Sequence, residues 1–149
     1  PRKQAASNIE AYFKRYHSIH DFMHSMVEKA KETGRAVTLF GRYRELPDIN
    51  SKNFNRRSFA ERTAMNTPIQ GTAADIMKMA MIEVYRKMKA GGYKSRVLLQ
   101  VHDELVAEVV KEEKEEIAAL LKETMESVVK LKVPLVADVN EGKNWAETK

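Results

Sequence analysis

The sequence predicts an α+β protein in which helices pack beside small antiparallel sheets. Apolar residues recur at helical spacing through most of the 149-residue chain, which indicates several amphipathic helices. Two pairs of short β-prone runs are each joined by a polar turn, which is typical of hairpins. The elements follow the order helices, hairpin, helices, hairpin, helix and strand. A chain of this length suffices for one domain with a modest core.

The first part of the chain is predicted to form two helices and a hairpin. Residues 2–16 carry large apolar side chains at helical spacing, and the same period continues over residues 22–30. Gly34 follows at the position where a glycine commonly ends a helix. Ala36–Phe40 and Arg44–Leu46 are the predicted strands, joined by a Gly-Arg turn.

The middle of the chain is predicted to contain two further helices. Asn53–Asn66 is helical by pattern, and Pro68 is expected to end or kink this helix because proline lacks an N–H group. A second apolar stripe runs over residues 73–88 and includes several methionines, which we interpret as core residues. Two glycines at 91–92 are expected to close this helix.

The last part of the chain is predicted to form a second hairpin, a helix and a strand. Val97–Val101 and Leu105–Val110 flank the polar turn His102-Asp103-Glu104. Residues 117–129 form a predicted helix behind an acidic run that suits the helix dipole. Leu135–Val139 is the predicted final strand.

The chain is basic, with 26 Lys and Arg residues against 21 Asp and Glu residues and a pI near 9.4. The excess lies in the first part, since residues 1–62 carry a net charge of +6 and residues 63–149 a net charge of −1. This distribution favours an anionic partner. Five arginines form a candidate nucleic-acid surface, with an ordinary solvated surface as the alternative. They are Arg42, Arg44, Arg56, Arg57 and Arg62.

The composition excludes several kinds of site. The sequence has no cysteine, which excludes disulfides, thiolate nucleophiles and cysteine-based zinc sites. No apolar run approaches the roughly 18 residues needed to span a membrane, and no signal-peptide pattern is present. Because the chain begins with Pro1 and not with Met, we expect it to be a segment of a longer protein.

The acidic turn of the second hairpin is the candidate for chemistry. Asp103 and Glu104 place two adjacent carboxylates between two strands. Mg²⁺ prefers one or two carboxylates together with water and phosphate oxygens, so the pair suits this ion. On spacing alone a solvated acidic turn is the stronger interpretation, because acidic residues are common in turns.

The residues around this turn carry a resemblance to a known family. Gln100-Val101-His102-Asp103-Glu104 resembles the third catalytic motif of family A DNA polymerases of the bacterial DNA polymerase I type. The stretch from Arg62 to Asp75 resembles the helix that precedes this motif in the family. Residues 41–49 resemble the family's hairpin in the fingers, and Asn144-Trp145 its C-terminal end. The similarity covers essentially the whole chain.

The resemblance implies a role for each matching residue. Asp103 matches the palm aspartate that binds the two catalytic Mg²⁺ ions, and Glu104 matches a supporting carboxylate nearby. His102 matches a residue beside the primer terminus. Gln70 matches a glutamine that reaches the minor groove at the newest base pair. The polar residues that line the template and primer-terminus cleft are matched by Arg62 and Asn66.

The same residues have local explanations. Thr67 and Gln70 fit a capping box at a helix N-terminus, which on the local pattern alone is the stronger interpretation. Arg62 and Asn66 lie one helical turn apart and fit a solvated face. His102 taken alone fits a structural turn residue.

The resemblance implies a fragment of a DNA-directed DNA polymerase that performs nucleotidyl transfer by a two-metal mechanism. Primer–template DNA and deoxynucleotide triphosphates are its expected partners, in the bacterial cytoplasm at the nucleoid and without a membrane. Residues 1–62 match the lower fingers and residues 63–149 the second half of the palm. The family's first aspartate motif and nucleotide-binding helix are missing from the sequence, so we expect the isolated chain to be inactive. The alternative is a DNA-binding or split-protein module without catalysis.

Overall fold

Four α-helices and two antiparallel hairpins make up most of residues 2–148, the part of the chain that the computed structural model describes. The helices are α1 (Arg2–Arg15), α2 (His17–Thr33), α3 (Phe54–Ala90) and α4 (Lys114–Ser127). The strands are β1 (Arg35–Val37), β2 (Tyr43–Glu45), β3 (Arg96–Val101) and β4 (Glu104–Glu108). The structure is 61% helical, which confirms the α+β prediction. The chain forms two compact units, of which the first ends at Thr72 and the second begins at Ala73.

Helices α1 and α2 open the first unit and agree with the predicted pair. The chain breaks between them at Tyr16, which has a non-helical backbone. Helix α2 ends where the sequence predicts, because Gly34 adopts a left-handed conformation with φ 71° and its N–H donates to the Ala30 carbonyl. Glycine takes this conformation without the steric cost that a Cβ atom imposes.

The first hairpin closes the core of this unit. Strands β1 and β2 pair in the register Arg35↔Glu45, Ala36↔Arg44 and Val37↔Tyr43, so β1 is shorter than predicted and β2 begins one residue earlier. The residues between them form a turn in which the Thr38 N–H donates to the Arg42 carbonyl at 2.8 Å. Small and branched side chains fill the core beneath the hairpin. They are Ala30, Ala36, Leu46, Ile49, Ala60 and Ala64.

The expectation that a helix ends at Pro68 and a second one follows is wrong. Helix α3 runs for 37 residues and contains Pro68 in its interior. Proline removes one helical hydrogen bond and costs about 3 kcal/mol in a helix interior. Packing on each side offsets this cost, since Ala64 is fully buried in the first unit and Val84 is fully buried in the second.

The second unit packs α3 and α4 with the hairpin of β3 and β4. The strands pair antiparallel from Arg96↔Glu108 to Val101↔Glu104, with a bulge between Val97 and Leu99. Helix α4 begins at Lys114 after a short 3₁₀ turn over Lys111–Glu113. The buried core is formed by Val84, Met88 and Ile117, and Tyr93, Val97, Leu105, Leu120 and Leu121 pack against it. Met77 and Met88 are buried, which confirms their interpretation as core residues, whereas the third methionine of the stripe, Met81, is only partly buried.

The predicted final strand over Leu135–Val139 is wrong. These residues have no regular secondary structure, and no described strand pairs with them. The Ala137 N–H donates instead to Oε1 of Glu126 at 3.0 Å. A β-prone sequence needs a neighbouring strand to satisfy its backbone groups, so its pattern alone does not make it a strand.

A carboxylate joins the start of β3 to the loop after β4. Glu113 accepts hydrogen bonds from the N–H groups of Lys94 and Ser95 at 2.9 Å and from the Ser95 hydroxyl at 2.6 Å. The Ser95 Oγ in turn accepts from the Val110 N–H at 2.9 Å. These donors, foremost the Lys94 N–H, lower the pKa of Glu113 below its ordinary value of 4.5, because they stabilise the ionised form.

Substituting Glu113→Gln is expected to lower the melting temperature of the chain at neutral pH, because the amide accepts weaker hydrogen bonds. The folded-state pKa of Glu113 is depressed, so its stabilising contribution is present above about pH 4.5 and is lost as the pH falls through the lower folded-state value. The difference in melting temperature between wild type and variant should therefore shrink in acid. Thermal unfolding followed by circular dichroism measures both effects.

The neighbouring Glu112→Gln is the matched control, because Glu112 is exposed and its side chain makes no hydrogen bond to a described residue. It should leave the melting temperature nearly unchanged. A difference between wild type and Glu113→Gln that stays constant from about pH 7 to about pH 3 would show that the charge of Glu113 is unimportant.

Candidate functional site

The second hairpin ends in a turn of two residues. Val101 and Glu104 form the last pair of the ladder, which leaves His102 and Asp103 between the strands. The sequence predicts a three-residue turn, and this is wrong in one respect, because Glu104 is the first residue of β4. Two carboxylates therefore lie at adjacent positions of the hairpin end, Asp103 in the turn and Glu104 on the strand.

The backbone of this turn is constrained. His102 has φ 53° and is the only non-glycine residue with a positive φ among the described residues. A left-handed conformation costs an L-residue about 1–2 kcal/mol. The side-chain amide of Gln100 donates to the His102 carbonyl at 2.5 Å and helps to hold this conformation. Common two-residue hairpin turns need a positive φ at their first position, so the conformation of His102 follows from the turn itself.

Both carboxylates at the turn are open to ligands. Asp103 and Glu104 are exposed, as the sequence predicts. Neither carboxylate makes a hydrogen bond or ion pair with another residue of the described part of the chain. Their oxygens are the hard ligands that Mg²⁺ prefers, so the residues present fit this ion.

No complete metal centre is formed by this segment alone. Residues 2–148 contain no group of three or more His, Asp or Glu side chains arranged to hold a metal ion. His20 and His24 lie one helical turn apart on α2, but they form no such group with a third residue of this range. Asp103 and Glu104 therefore offer a partial ligand set.

A polar face of α3 carries the other three candidate residues. Arg62, Asn66 and Gln70 follow one another at intervals of four residues, which places them on the same side of the helix. All three are exposed, and none of their side chains makes a hydrogen bond or ion pair with another described residue. Donor groups are thus presented along about two turns of one helix in the first unit.

The capping-box interpretation of Gln70 is wrong. Helix α3 begins at Phe54, and its first turn is capped by Oδ1 of Asn53, which accepts from the N–H groups of Asn55 and Arg56 at 3.0 and 3.2 Å. Thr67 and Gln70 lie in the helix interior, where backbone N–H groups already have partners one turn back. The local pattern arose because Thr67 precedes Pro68, a pairing that also occurs at helix starts.

The arginines of the first unit differ in their surroundings. Arg44, Arg56 and Arg62 are exposed. Arg57 donates to the Ser51 carbonyl at 2.9 Å, and Arg42 donates to the Gly71 carbonyl at the same distance. Two of the five candidate arginines therefore also serve the structure of the unit itself.

The structure groups the six candidate residues in two sets. Arg62, Asn66 and Gln70 share one helix face in the first unit, and His102, Asp103 and Glu104 share one hairpin end in the second. Sequence reasoning missed the contacts that Thr38 and Thr72 make beside Gln70. Gly71 in a helix interior was the available signal, because glycine there is unfavourable unless something packs closely against it.

Nearly the whole chain is similar to known proteins. The model of the family described as "DNA polymerase family A" matches residues 1–147. DNA polymerase I of Streptococcus pneumoniae is 55% identical over 148 residues, and the proteins of that name from Caldicellulosiruptor bescii and Bacillus subtilis are 52% and 48% identical. Each alignment covers 99% of this chain and 17% of the relative. The chain therefore spans about a sixth of the length of these relatives.

A solved structure has the same fold. The POL domain of Pol1 from M. smegmatis, in complex with DNA primer-template and dNTP, superposes with a TM-score of 0.96 and is 42% identical. The match covers 99% of this chain and 26% of that one. No described helix of this chain is both long and apolar enough to cross a membrane.

Proposed function

Because the chain belongs to DNA polymerase family A, we propose that it supplies part of the fingers and palm of a DNA-directed DNA polymerase. Such an enzyme transfers a nucleotide from a deoxynucleotide triphosphate to the 3′ end of a primer, as directed by a template. Residues 1–62 belong to the lower fingers in this proposal, and residues 63–149 form the second half of the palm. The protein acts where bacterial DNA lies, at the nucleoid.

The open carboxylates of the second hairpin carry the proposal. Asp103 would hold Mg²⁺ as a direct ligand, and Glu104 would support it from the adjacent strand position. Two Mg²⁺ ions bound in a polymerase supply charge neutralisation at the attacking 3′ oxygen and at the leaving pyrophosphate. The contribution of this chain is to present the carboxylates without competing ion pairs, on a turn whose backbone is already constrained.

The polar face of α3 supports contact with primer–template DNA. Gln70 would donate a hydrogen bond to a base acceptor in the minor groove, where every base pair offers acceptors in similar places. This arrangement suits a copying enzyme, because it tests the shape of a pair without selecting its sequence. Arg62 and Asn66 would contact the strands beside it, and His102 would lie beside the primer terminus. The arginines of the first unit add attraction for phosphates.

Catalysis requires more ligands than this segment provides. Residues 2–148 contain no group of three or more His, Asp or Glu side chains arranged to hold a metal ion, so Asp103 and Glu104 are a partial ligand set for two ions. We infer that another segment of the polymerase supplies the first aspartate, and that a further helix grips the nucleotide triphosphate. The isolated chain is inactive on this view.

Primer extension tests the proposal. The 149-residue chain, given primer–template DNA, Mg²⁺ and nucleotides, is expected to add no nucleotide. The whole polymerase that contains this segment should extend the same primer. The isolated chain should still bind the duplex weakly, and binding should fall steeply between about 50 and 200 mM salt, because phosphate contacts release counterions.

Two outcomes would contradict the proposal. Template-dependent extension by the chain alone, abolished by Asp103→Ala, would show that its site is complete without other segments. Failure of the whole protein to extend any primer would remove the polymerase function itself.

A further inference from the structure

The turn of the first hairpin holds α3 at the residues that follow Gln70. The Leu39 N–H donates to Oγ1 of Thr72 at 2.9 Å. The Arg42 guanidinium donates through Nη2 to the Gly71 carbonyl, also at 2.9 Å. These contacts join positions about 30 residues apart in the chain, so they fix the hairpin turn to one point on the helix.

The β1–β2 turn approaches α3 too closely for a side chain at Gly71. A Cβ atom added to Gly71 would lie 2.6 Å from Cγ2 of Thr38, well inside van der Waals contact. Glycine lowers the intrinsic stability of a helix interior, yet here it permits the approach. The Thr38 side chain is buried in the contact, and its Oγ1 accepts from the Arg42 N–H at 3.2 Å.

The contact lies one turn beyond the proline of α3. Pro68 has no N–H group, so the Ala64 carbonyl loses its helical donor on the turn before Gln70. The Thr72 hydroxyl donates to the Pro68 carbonyl while it accepts from the Leu39 N–H. One side chain thus links the hairpin turn to both ends of the segment in which Gln70 lies.

We propose that the β1–β2 turn is a positioning element for Gln70, with Thr72 and Gly71 as its points of attachment. The turn holds the helix backbone beside Pro68 in one conformation and so keeps the exposed Gln70 amide at a constant place and direction. This inference rests on the proposed contact between Gln70 and the minor groove. Thr72 and Gly71 touch neither DNA nor the reacting atoms in this role.

A hydroxyl deletion tests the attachment at Thr72. In the whole polymerase, Thr72→Val keeps the β-branched shape and removes the hydrogen bonds, whereas Thr72→Ser keeps the hydroxyl. Thr72→Val is expected to slow single-nucleotide incorporation from a matched primer by about three- to tenfold, the range for losing one hydrogen bond of modest strength. Thr72→Ser should retain most of the wild-type rate. The DNA affinity and its salt dependence should be unchanged in both variants.

The decisive measurement repeats Thr72→Val in a Gln70→Ala background. If Thr72 acts through Gln70, the second substitution should cause no further loss of rate. An equal loss in both backgrounds would overturn the inference, because Thr72 would then act by some other route. Normal extension by Thr72→Val, alongside slow extension by Gln70→Ala, would overturn the positioning role and leave the DNA contact of Gln70 standing. Normal extension by Gln70→Ala itself would remove the DNA contact and the positioning role together.

A second pair of variants tests the close approach and guards against misfolding. Gly71→Ala should slow incorporation, although alanine favours a helix. Adding Thr38→Ser removes Cγ2 and retains Oγ1, so the double variant should recover much of the rate. Melting temperatures measured on the same proteins separate a positioning effect from loss of the folded state. A double variant as slow as Gly71→Ala alone, with an unchanged melting temperature, would overturn the inference.

Discussion

Replacing Asp103 with asparagine in the whole polymerase is expected to lower the rate of nucleotide incorporation by about a thousandfold or more. A metal ion stabilises charge in phosphoryl transfer by several kcal/mol, and each 1.36 kcal/mol corresponds to roughly tenfold in rate. Asparagine removes the negative charge of the proposed ligand and preserves the shape of the side chain. It is also well tolerated in turns, so the hairpin should persist. Pre-steady-state kinetics on a matched primer–template measures the effect.

DNA affinity should change little in the same variant, because Asp103 is proposed to act on the ions and not on the DNA. A loss confined to the rate is the signature of an interaction made in the transition state. Glu104→Gln should have a smaller effect, since Glu104 is proposed to play a supporting role. The control is Asp138→Asn, which removes one negative charge from an exposed position of the same unit. An equal loss of rate in the control would show that overall charge is responsible.

Replacing Gln70 with alanine should slow primer extension by roughly tenfold, the upper range for one lost hydrogen bond. The loss should be greatest once the terminal pair has formed, because Gln70 is proposed to hold its minor-groove acceptor. Stability should be unchanged or slightly higher, since alanine is the best helix former and Gln70 lies inside α3. Single-turnover extension and thermal melting of the same variant measure the two quantities.

Glutamate at the same position is the informative control. Gln70→Glu keeps the length of the side chain, but an ionised carboxylate cannot donate a hydrogen bond to a base acceptor. It should therefore extend as slowly as Gln70→Ala, or more slowly because of repulsion from the DNA. A Gln70→Glu enzyme that extends at the wild-type rate would remove Gln70 from the DNA interface.

The candidate residues could be identified from the sequence because whole motifs resemble those of family A DNA polymerases, whereas the local patterns alone favoured a solvated turn, a helix cap and a solvated face. His102, Asp103 and Glu104 stand between two β-prone runs, and the hairpin that these runs predict brings the carboxylates to its exposed end. Arg62, Asn66 and Gln70 have the four-residue spacing of a helix face, and α3 places them there. The fit of the β1–β2 turn against Gly71 could not be read in the same way, because its two sides are about 30 residues apart and each looks ordinary by itself.

The sequence by itself determined helices α1, α2 and α4, the two hairpins, the end of α2 at Gly34 and the candidate site residues. Apolar periodicity, turn preference and motif order are properties of neighbouring residues, so they need no knowledge of the fold. Only the tertiary structure decided that α3 continues through Pro68 and that Leu135–Val139 is not a strand. The first outcome depends on burial of Ala64 and Val84 on either side of the proline, which offsets the lost hydrogen bond. The second depends on a neighbouring strand, because backbone groups of a β-prone segment form a ladder only with a partner that pairs with them.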